Sequence, residues 1–118
     1  IITIIYNLYK SLFNLNKYYF KDLIPVAIGE REGVRRKPAP DTVLTAMKEL
    51  NAQKESTLYV GDSGSDMITA QNAGVKGVGV TWGFRDAKSL KESGADFLVD
   101  SPAQLLDIAQ NTKCETAL

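Results

Sequence analysis

The chain has 118 residues, which is enough for one hydrophobic core but too few for two domains. Its 14 basic residues balance its 14 acidic residues, so no net charge favours nucleic acid or an acidic membrane surface as a partner. It contains no histidine and one cysteine, Cys114, which excludes an internal disulfide and nucleophiles activated by histidine, and fits a reducing compartment such as the cytoplasm.

The first part of the chain alternates between strand and helix patterns. The β-branched run at residues 1–5 predicts a buried strand. Leucines at helical spacing predict a helix over residues 7–17. The stretch at residues 25–29 predicts a second strand, and the proline with which it begins is tolerated at the start of a strand.

A charged loop at residues 30–36 leads into the stretch Lys37-Pro38-Ala39-Pro40. Because each proline holds the residue before it in extended geometry, Lys37 is expected on a stiff, non-helical segment. An exposed loop lysine is most often a solvated charge, and the sequence at this point leaves that alternative open. Asp41 is predicted to cap a helix that ends near Leu50.

The stretch from Thr57 to Gly74 carries the most information. The apolar run at residues 58–60 predicts a strand buried on both faces, and Gly61 after it allows a sharp turn of the backbone. Either Ser63 or Ser65 is expected to cap the helix that follows, and the closing glycine is expected to stop it.

Two carboxylates, Asp62 and Asp66, flank this strand-to-helix turn. Ligands of open α/β sheets bind at the carboxyl ends of the strands, and two neighbouring acids repel each other unless a positive charge lies between them. Mg²⁺ suits such a place, because it takes one or two carboxylates and leaves its other positions to water and substrate phosphate. A capped turn with two solvated acids is equally consistent with the spacing.

The rest of the chain continues the alternation, with predicted strands at residues 77–80 and 97–99 and predicted helices at residues 87–93 and 102–110. Residues 81–84 are expected to leave their strand on the same side as Asp62, and residues 111–118 to form a frayed tail. This alternation predicts an α/β fold with a three-layer parallel sheet.

Three motifs taken together resemble the haloacid dehalogenase superfamily, and more narrowly its phosphoglycolate phosphatase-like hydrolases. They are Lys37-Pro38-Ala39-Pro40-Asp41, Val60-Gly61-Asp62-Ser63-Gly64-Ser65-Asp66 and Ala70-Gln71-Asn72-Ala73-Gly74. The resemblance covers roughly residues 3–108 and implies a Rossmann-like core. The ordered set is more specific than any of its members alone.

The resemblance also implies a role for each matching residue. Asp62 would bind Mg²⁺ directly, and Asp66 would hold the ion through water or steady its neighbour. Lys37 would neutralise the phosphoryl oxygens and the attacking carboxylate, as a compact point charge does. Thr3 falls where the family has a phosphate-binding hydroxyl, although as a β-branched residue it is also an ordinary strand residue.

Family members begin with a strand that carries Asp-x-Asp, and this motif does not occur in the chain. The helical cap that selects the substrate is also missing. We therefore expect the chain to be the carboxyl-terminal part of a phosphatase, an incomplete core over residues 1–118 that is inactive alone. Without the strand next to the one at residues 58–60, the isolated chain is expected to be poorly stable or prone to aggregation.

These observations lead to three functional hypotheses. The first is a Mg²⁺-dependent phosphomonoester hydrolase that forms a phosphoaspartyl intermediate and acts on a small phosphorylated metabolite, with the upstream segment as its partner. The second is a non-catalytic or truncated module that keeps the metal and phosphate site. The third is a phospho-acceptor signalling domain, which we rank last because Lys37 precedes Asp62. Neither nucleic acid nor a membrane is an expected partner.

Overall fold

The computed structural model describes residues 26, 28, 32–83 and 86–116, with the side chains of residues 112–116 excepted. The predicted first strand, the helix over residues 7–17 and Thr3 lie outside these residues. The regular elements are α1 (Asp41–Leu50), β1 (Leu58–Gly61), α2 (Gly64–Ala73), β2 (Lys76–Val80), α3 (Ala87–Glu92), β3 (Phe97–Val99) and α4 (Pro102–Thr116). A short 3-10 helix, Lys54–Ser56, precedes β1.

The three strands form one parallel sheet in the order β1-β2-β3. Val60 lies opposite Val78, and Val80 lies opposite Val99. Parallel neighbours require a crossover between them, which α2 and α3 provide. The predicted α/β fold with a parallel sheet is confirmed.

Apolar side chains cover both faces of the sheet because neighbouring strand residues point to opposite sides. Tyr59 packs with residues of α1 and α2, including Val43 and Ala70. Leu58, its neighbour, packs on the other face, where a partly buried face of α4 with Ala109 covers the strands. The sheet is therefore the middle of three layers, and the acidic turn after β1 lies at its carboxyl edge.

Only Val26 and Ile28 of the predicted second strand, residues 25–29, lie within the described residues, and neither is assigned to a strand. Ile28 is buried in the cluster with Tyr59, so its apolar character contributes to the core. The prediction for the last helix is wrong in detail, because α4 extends to Thr116, beyond the end predicted near Gln110, and residues 111–116 are helical instead of a frayed tail.

Asp41 is not the cap of α1. It is the first residue of the helix, and Pro40 occupies the cap position without a side-chain hydrogen bond. The Asp41 carboxylate instead accepts hydrogen bonds from the backbone and guanidinium of Arg35. A carboxylate in the first turn still interacts favourably with the helix dipole, which explains why the helix begins where the sequence predicts.

Both ends of α2 follow the prediction, and the structure resolves which serine caps it. The Ser63 hydroxyl accepts a hydrogen bond from the Asp66 amide, and the Asp66 carboxylate accepts one from the Ser63 amide. This reciprocal pair is a capping box, with aspartate in the position more often held by glutamate. Ser65 is exposed, and Gly74 ends the helix with a φ of 73°.

Among the helices of the described part of the chain, none is both long and apolar enough to cross a membrane.

Replacing the capping serine should destabilise the protein more than replacing its exposed neighbour. Ser63→Ala removes the cap and the hydroxyl bond to Asp66, so we expect the free energy of unfolding to fall by about 1–2 kcal/mol. Ser65→Ala, in the same turn, should change it by less than about 0.5 kcal/mol. Urea unfolding followed by circular dichroism compares the two variants, and equal losses would contradict the assignment of the cap.

Candidate active site

The chain leaves β1 in close contact with the first turn of α2. A Cβ atom on Gly61 would overlap the side chain of Asp66, so the last position of the strand has no room for another residue type. Asp62 follows directly and thus lies at the carboxyl end of β1, the edge where α/β sheets bind ligands. The sequence predicted this location for both carboxylates.

The Asp66 carboxylate is buried, with 4% of the residue exposed, and it accepts five hydrogen bonds. Oδ1 receives the Lys37 ammonium at 2.6 Å and the Tyr59 hydroxyl at 3.1 Å. Oδ2 receives the Asp62 amide at 3.2 Å, the Ser63 amide at 3.1 Å and the Ser63 hydroxyl at 2.8 Å. A buried carboxylate is stable only when it is paired and hydrogen-bonded in this way.

These contacts set the ionisation of the buried groups. Burial raises the pKa of Asp66, but the hydrogen bonds from Lys37 and Ser63 outweigh burial and leave the pKa below its usual value. Burial, followed by the charge of Asp66, raises the pKa of Tyr59, so the phenol stays protonated and donates its hydrogen bond. The ammonium group of Lys37 therefore compensates the negative charge of Asp66. The sequence predicted that a positive charge would lie beside the carboxylates of Asp62 and Asp66.

Lys37 lies in a turn closed by a hydrogen bond from the Ala39 amide to the Arg36 carbonyl at 3.0 Å, and its bond to Pro38 is cis. The segment is non-helical, as predicted. The Arg35 guanidinium also bonds the Asp41 carboxylate at 2.9 Å across the base of this turn.

A second contact ties the same turn to α2. The side-chain amide of Asn72 donates a hydrogen bond to the Pro38 carbonyl at 2.8 Å. Reasoning from the sequence did not single out Asn72 or Tyr59. A tyrosine in an apolar run is usually core, and the available signal was its position three residues before Asp62. For Asn72, the signal was a polar residue in the third motif, late in a capped helix.

The loop after β2 packs against Asp62. A Cβ atom on Gly83 would overlap the Asp62 side chain, so the backbone of Gly83 lies directly against that side chain. The prediction that residues 81–84 leave their strand on the same side as Asp62 is therefore confirmed for Gly83. Phe84 lies outside the described residues. Trp82 precedes Gly83 and is 50% exposed.

The donor set at this edge fits a hard cation held by few protein ligands. Both oxygens of Asp66 already accept hydrogen bonds, so direct coordination of an ion by this carboxylate would displace one of its donors. Within residues 26, 28, 32–83 and 86–116, no group of three or more acidic, histidine or cysteine side chains is arranged for a metal ion. Mg²⁺ requires only one or two carboxylates.

Replacing Asp66 should have an effect that depends on pH. At pH 7, Asp66→Asn leaves the half-buried Lys37 without its carboxylate, and we expect a loss of about 3 kcal/mol in the free energy of unfolding. Because the folded-state pKa of Asp66 lies below its usual value of 3.8, this stabilisation is present above that value. It disappears as the pH falls through the folded-state pKa.

The difference in the free energy of unfolding between wild type and Asp66→Asn should therefore shrink below about pH 4. Urea unfolding of both proteins at pH 7 and at pH 3 measures this difference. Asp107→Asn, at an exposed position on α4, is the matched control and should change stability by less than about 0.5 kcal/mol at either pH. A difference for Asp66→Asn that stays constant with pH would contradict the buried ion pair.

Comparison with known proteins gives consistent results. The family model for haloacid dehalogenase-like hydrolases matches residues 9–80. Pyrophosphatase PpaX from Halalkalibacterium halodurans is 37% identical over 98 residues, which cover 83% of this chain and 43% of that protein. Phosphoglycolate phosphatase from Vibrio vulnificus is 36% identical over 90 residues, which cover 76% of this chain and 38% of that protein.

A solved structure of a candidate phosphoglycolate phosphatase from Lactobacillus delbrueckii subsp. bulgaricus matches with a TM-score of 0.79 and 32% identity. The match covers 92% of this chain and 45% of that one, so the chain spans less than half the length of these relatives. Because the family model and the relatives both cover most of the chain, it belongs to the haloacid dehalogenase-like hydrolases.

Proposed function

We propose that the intact protein is a cytoplasmic Mg²⁺-dependent phosphomonoester hydrolase of phosphoglycolate phosphatase type. The observation that carries the proposal is the meeting of one ammonium group and two acidic residues at the carboxyl edge of the sheet. Lys37 bonds Asp66 at 2.6 Å, and the Asp66 carboxylate bonds the amide of Asp62 at 3.2 Å. The names of the phosphatase relatives support the same reaction class.

Each residue at this edge has a distinct proposed role. Lys37 neutralises the phosphoryl oxygens of the substrate with a compact positive charge. Asp62 is the direct ligand of Mg²⁺, and Asp66 holds the ion through water and fixes the position of Lys37. When bound, Mg²⁺ supplies further positive charge to the transferring group. The Thr3 hydroxyl is proposed to bind phosphate.

The proposed reaction is nucleophilic. A carboxylate of an Asp-x-Asp strand upstream of Ile1 attacks phosphorus, the bond to the substrate oxygen breaks, and the second aspartate protonates the leaving alcohol. Water then hydrolyses the phosphoaspartyl group and releases inorganic phosphate. Lys37 stabilises the negative charge on the phosphoryl oxygens during both steps, which is the main form of catalysis in phosphoryl transfer.

The tests must separate the proposal from its alternatives. The alternative function is a non-catalytic module that keeps the metal and phosphate site. Reading the coding sequence upstream of Ile1 for an Asp-x-Asp motif distinguishes a phosphatase from such a module. The relatives also include a pyrophosphatase, so pyrophosphate belongs among the substrates tested with phosphoglycolate.

Removing either charged group should abolish most of the activity of the intact protein. We expect Lys37→Ala and Asp62→Asn each to lower Mg²⁺-dependent phosphate release by about 100-fold or more, because each removes fixed charge stabilisation of the transferring group. Chelation of Mg²⁺ with EDTA should have a comparable effect and be reversed by added Mg²⁺. A colorimetric assay of inorganic phosphate measures all three.

Lys76→Ala is the matched control, because Lys76 is a surface lysine paired with Asp96 at 3.8 Å and is 63% exposed. It should retain activity within about twofold of wild type. Circular dichroism of each variant establishes that the fold is kept. A loss of only a few-fold in both Lys37→Ala and Asp62→Asn would overturn the assigned roles.

A further inference from the structure

The segment that carries Lys37 is attached to α2 at two separate points. The Lys37 ammonium bonds Asp66 in the first turn of the helix, and the Pro38 carbonyl accepts a hydrogen bond from Asn72 near its last turn. These helix residues are six positions apart, which corresponds to about 9 Å along the axis. The tip of the lysine side chain and the backbone at its base are thus fixed on the same rigid element.

The two attachments do different things. A lysine side chain has a flexible four-carbon stem, so the bond at Asp66 fixes only the charged tip. A fixed tip with a free base would allow the ammonium to move whenever an anionic ligand competes with Asp66 for it. The contact from Asn72 fixes the base, because it joins the backbone next to Lys37 directly to the helix that carries Asp66.

The other described contact at the base of the turn acts within the segment. The Arg35–Asp41 ion pair closes the turn through hydrogen bonds from the backbone and the guanidinium of Arg35. It also joins two parts of the same segment and does not fix that segment relative to α2. The Asn72 amide, in contrast, joins the turn directly to the helix that carries Asp66.

We propose that Asn72 is a positioning residue for Lys37. By holding the Pro38 carbonyl, it keeps the ammonium at the carboxyl edge of the sheet when the ammonium turns from Asp66 toward an incoming phosphoryl group. Asn72 acts through Lys37 and does not touch the substrate. The inference rests on the proposed function for the role of Lys37, whereas the geometric part of it stands on the two hydrogen bonds.

The kinetic test uses Asn72→Ala in the intact protein, with Gln71→Ala as the matched control. Gln71 is also an exposed amide of α2, but it bonds the Gly94 carbonyl at 3.4 Å, away from Lys37. We expect Asn72→Ala to lower kcat/KM for the phosphorylated substrate by about tenfold, because small misplacements of a charged group are costly in catalysis. Gln71→Ala should change it by less than about twofold.

A double-mutant cycle separates positioning from general structure. In a Lys37→Ala background, Asn72→Ala should lower the residual activity by less than about twofold, since the group it positions is already absent. The midpoints of urea unfolding for Asn72→Ala and Gln71→Ala should be similar. A tenfold loss that persists in the Lys37→Ala background would overturn the proposal.

A spectroscopic readout works without turnover. In the intact protein labelled with ¹⁵N-lysine, the ammonium signal of Lys37, assigned by its loss in Lys37→Ala, should shift or broaden in Asn72→Ala and stay unchanged in Gln71→Ala. If the wild-type protein hydrolyses none of the substrates, the proposed function fails, and this spectrum still decides the positioning role. An unchanged Lys37 signal in Asn72→Ala would overturn it.

Discussion

The buried Asp66 carboxylate is the group on which the rest of this site depends. Its five hydrogen bonds join the turn between β1 and α2 to Lys37, which lies 29 residues earlier in the chain. A buried carboxylate without these partners would cost several kcal/mol, so each partner has a defined place. The same contacts that stabilise the carboxylate therefore fix the geometry of the edge.

This arrangement gives the two acids different properties although they are four residues apart. Asp66 is enclosed by donors and serves as a hub for the backbone, the tyrosine and the lysine. The amide of Asp62 donates a hydrogen bond to the Asp66 carboxylate, and the side chain of Asp62 lies against the backbone of Gly83 at the carboxyl edge of the sheet. In the proposed function, one carboxylate therefore holds the structure and the other binds the metal ion.

Much of this architecture follows from local sequence signals. Alternating apolar segments, a serine cap and a closing glycine were enough to predict the parallel sheet, α2 and the location of both acids. The contacts that require tertiary structure were not predictable. Tyr59 looks like any core aromatic until its hydroxyl meets Asp66, and Asn72 looks like a surface residue until Pro38 lies beside it.

Contacts around the Lys37 turn depend on tertiary structure in the same way. The prolines at 38 and 40 correctly indicate a stiff, non-helical segment, but they do not reveal the ion pair of Arg35 and Asp41 at its base. The cap of α1 could not be read from the sequence for the same reason, because the Asp41 carboxylate that would have formed it bonds Arg35 instead.

The chain contains a single tryptophan, and it lies beside the glycine that touches Asp62. Half of Trp82 is in contact with solvent, so its indole samples the water at the edge of the sheet and not a dry core. Within these 118 residues, tryptophan fluorescence therefore comes from the position directly before the glycine that contacts Asp62. A change in the solvent exposure of Trp82 would alter that fluorescence without any added label.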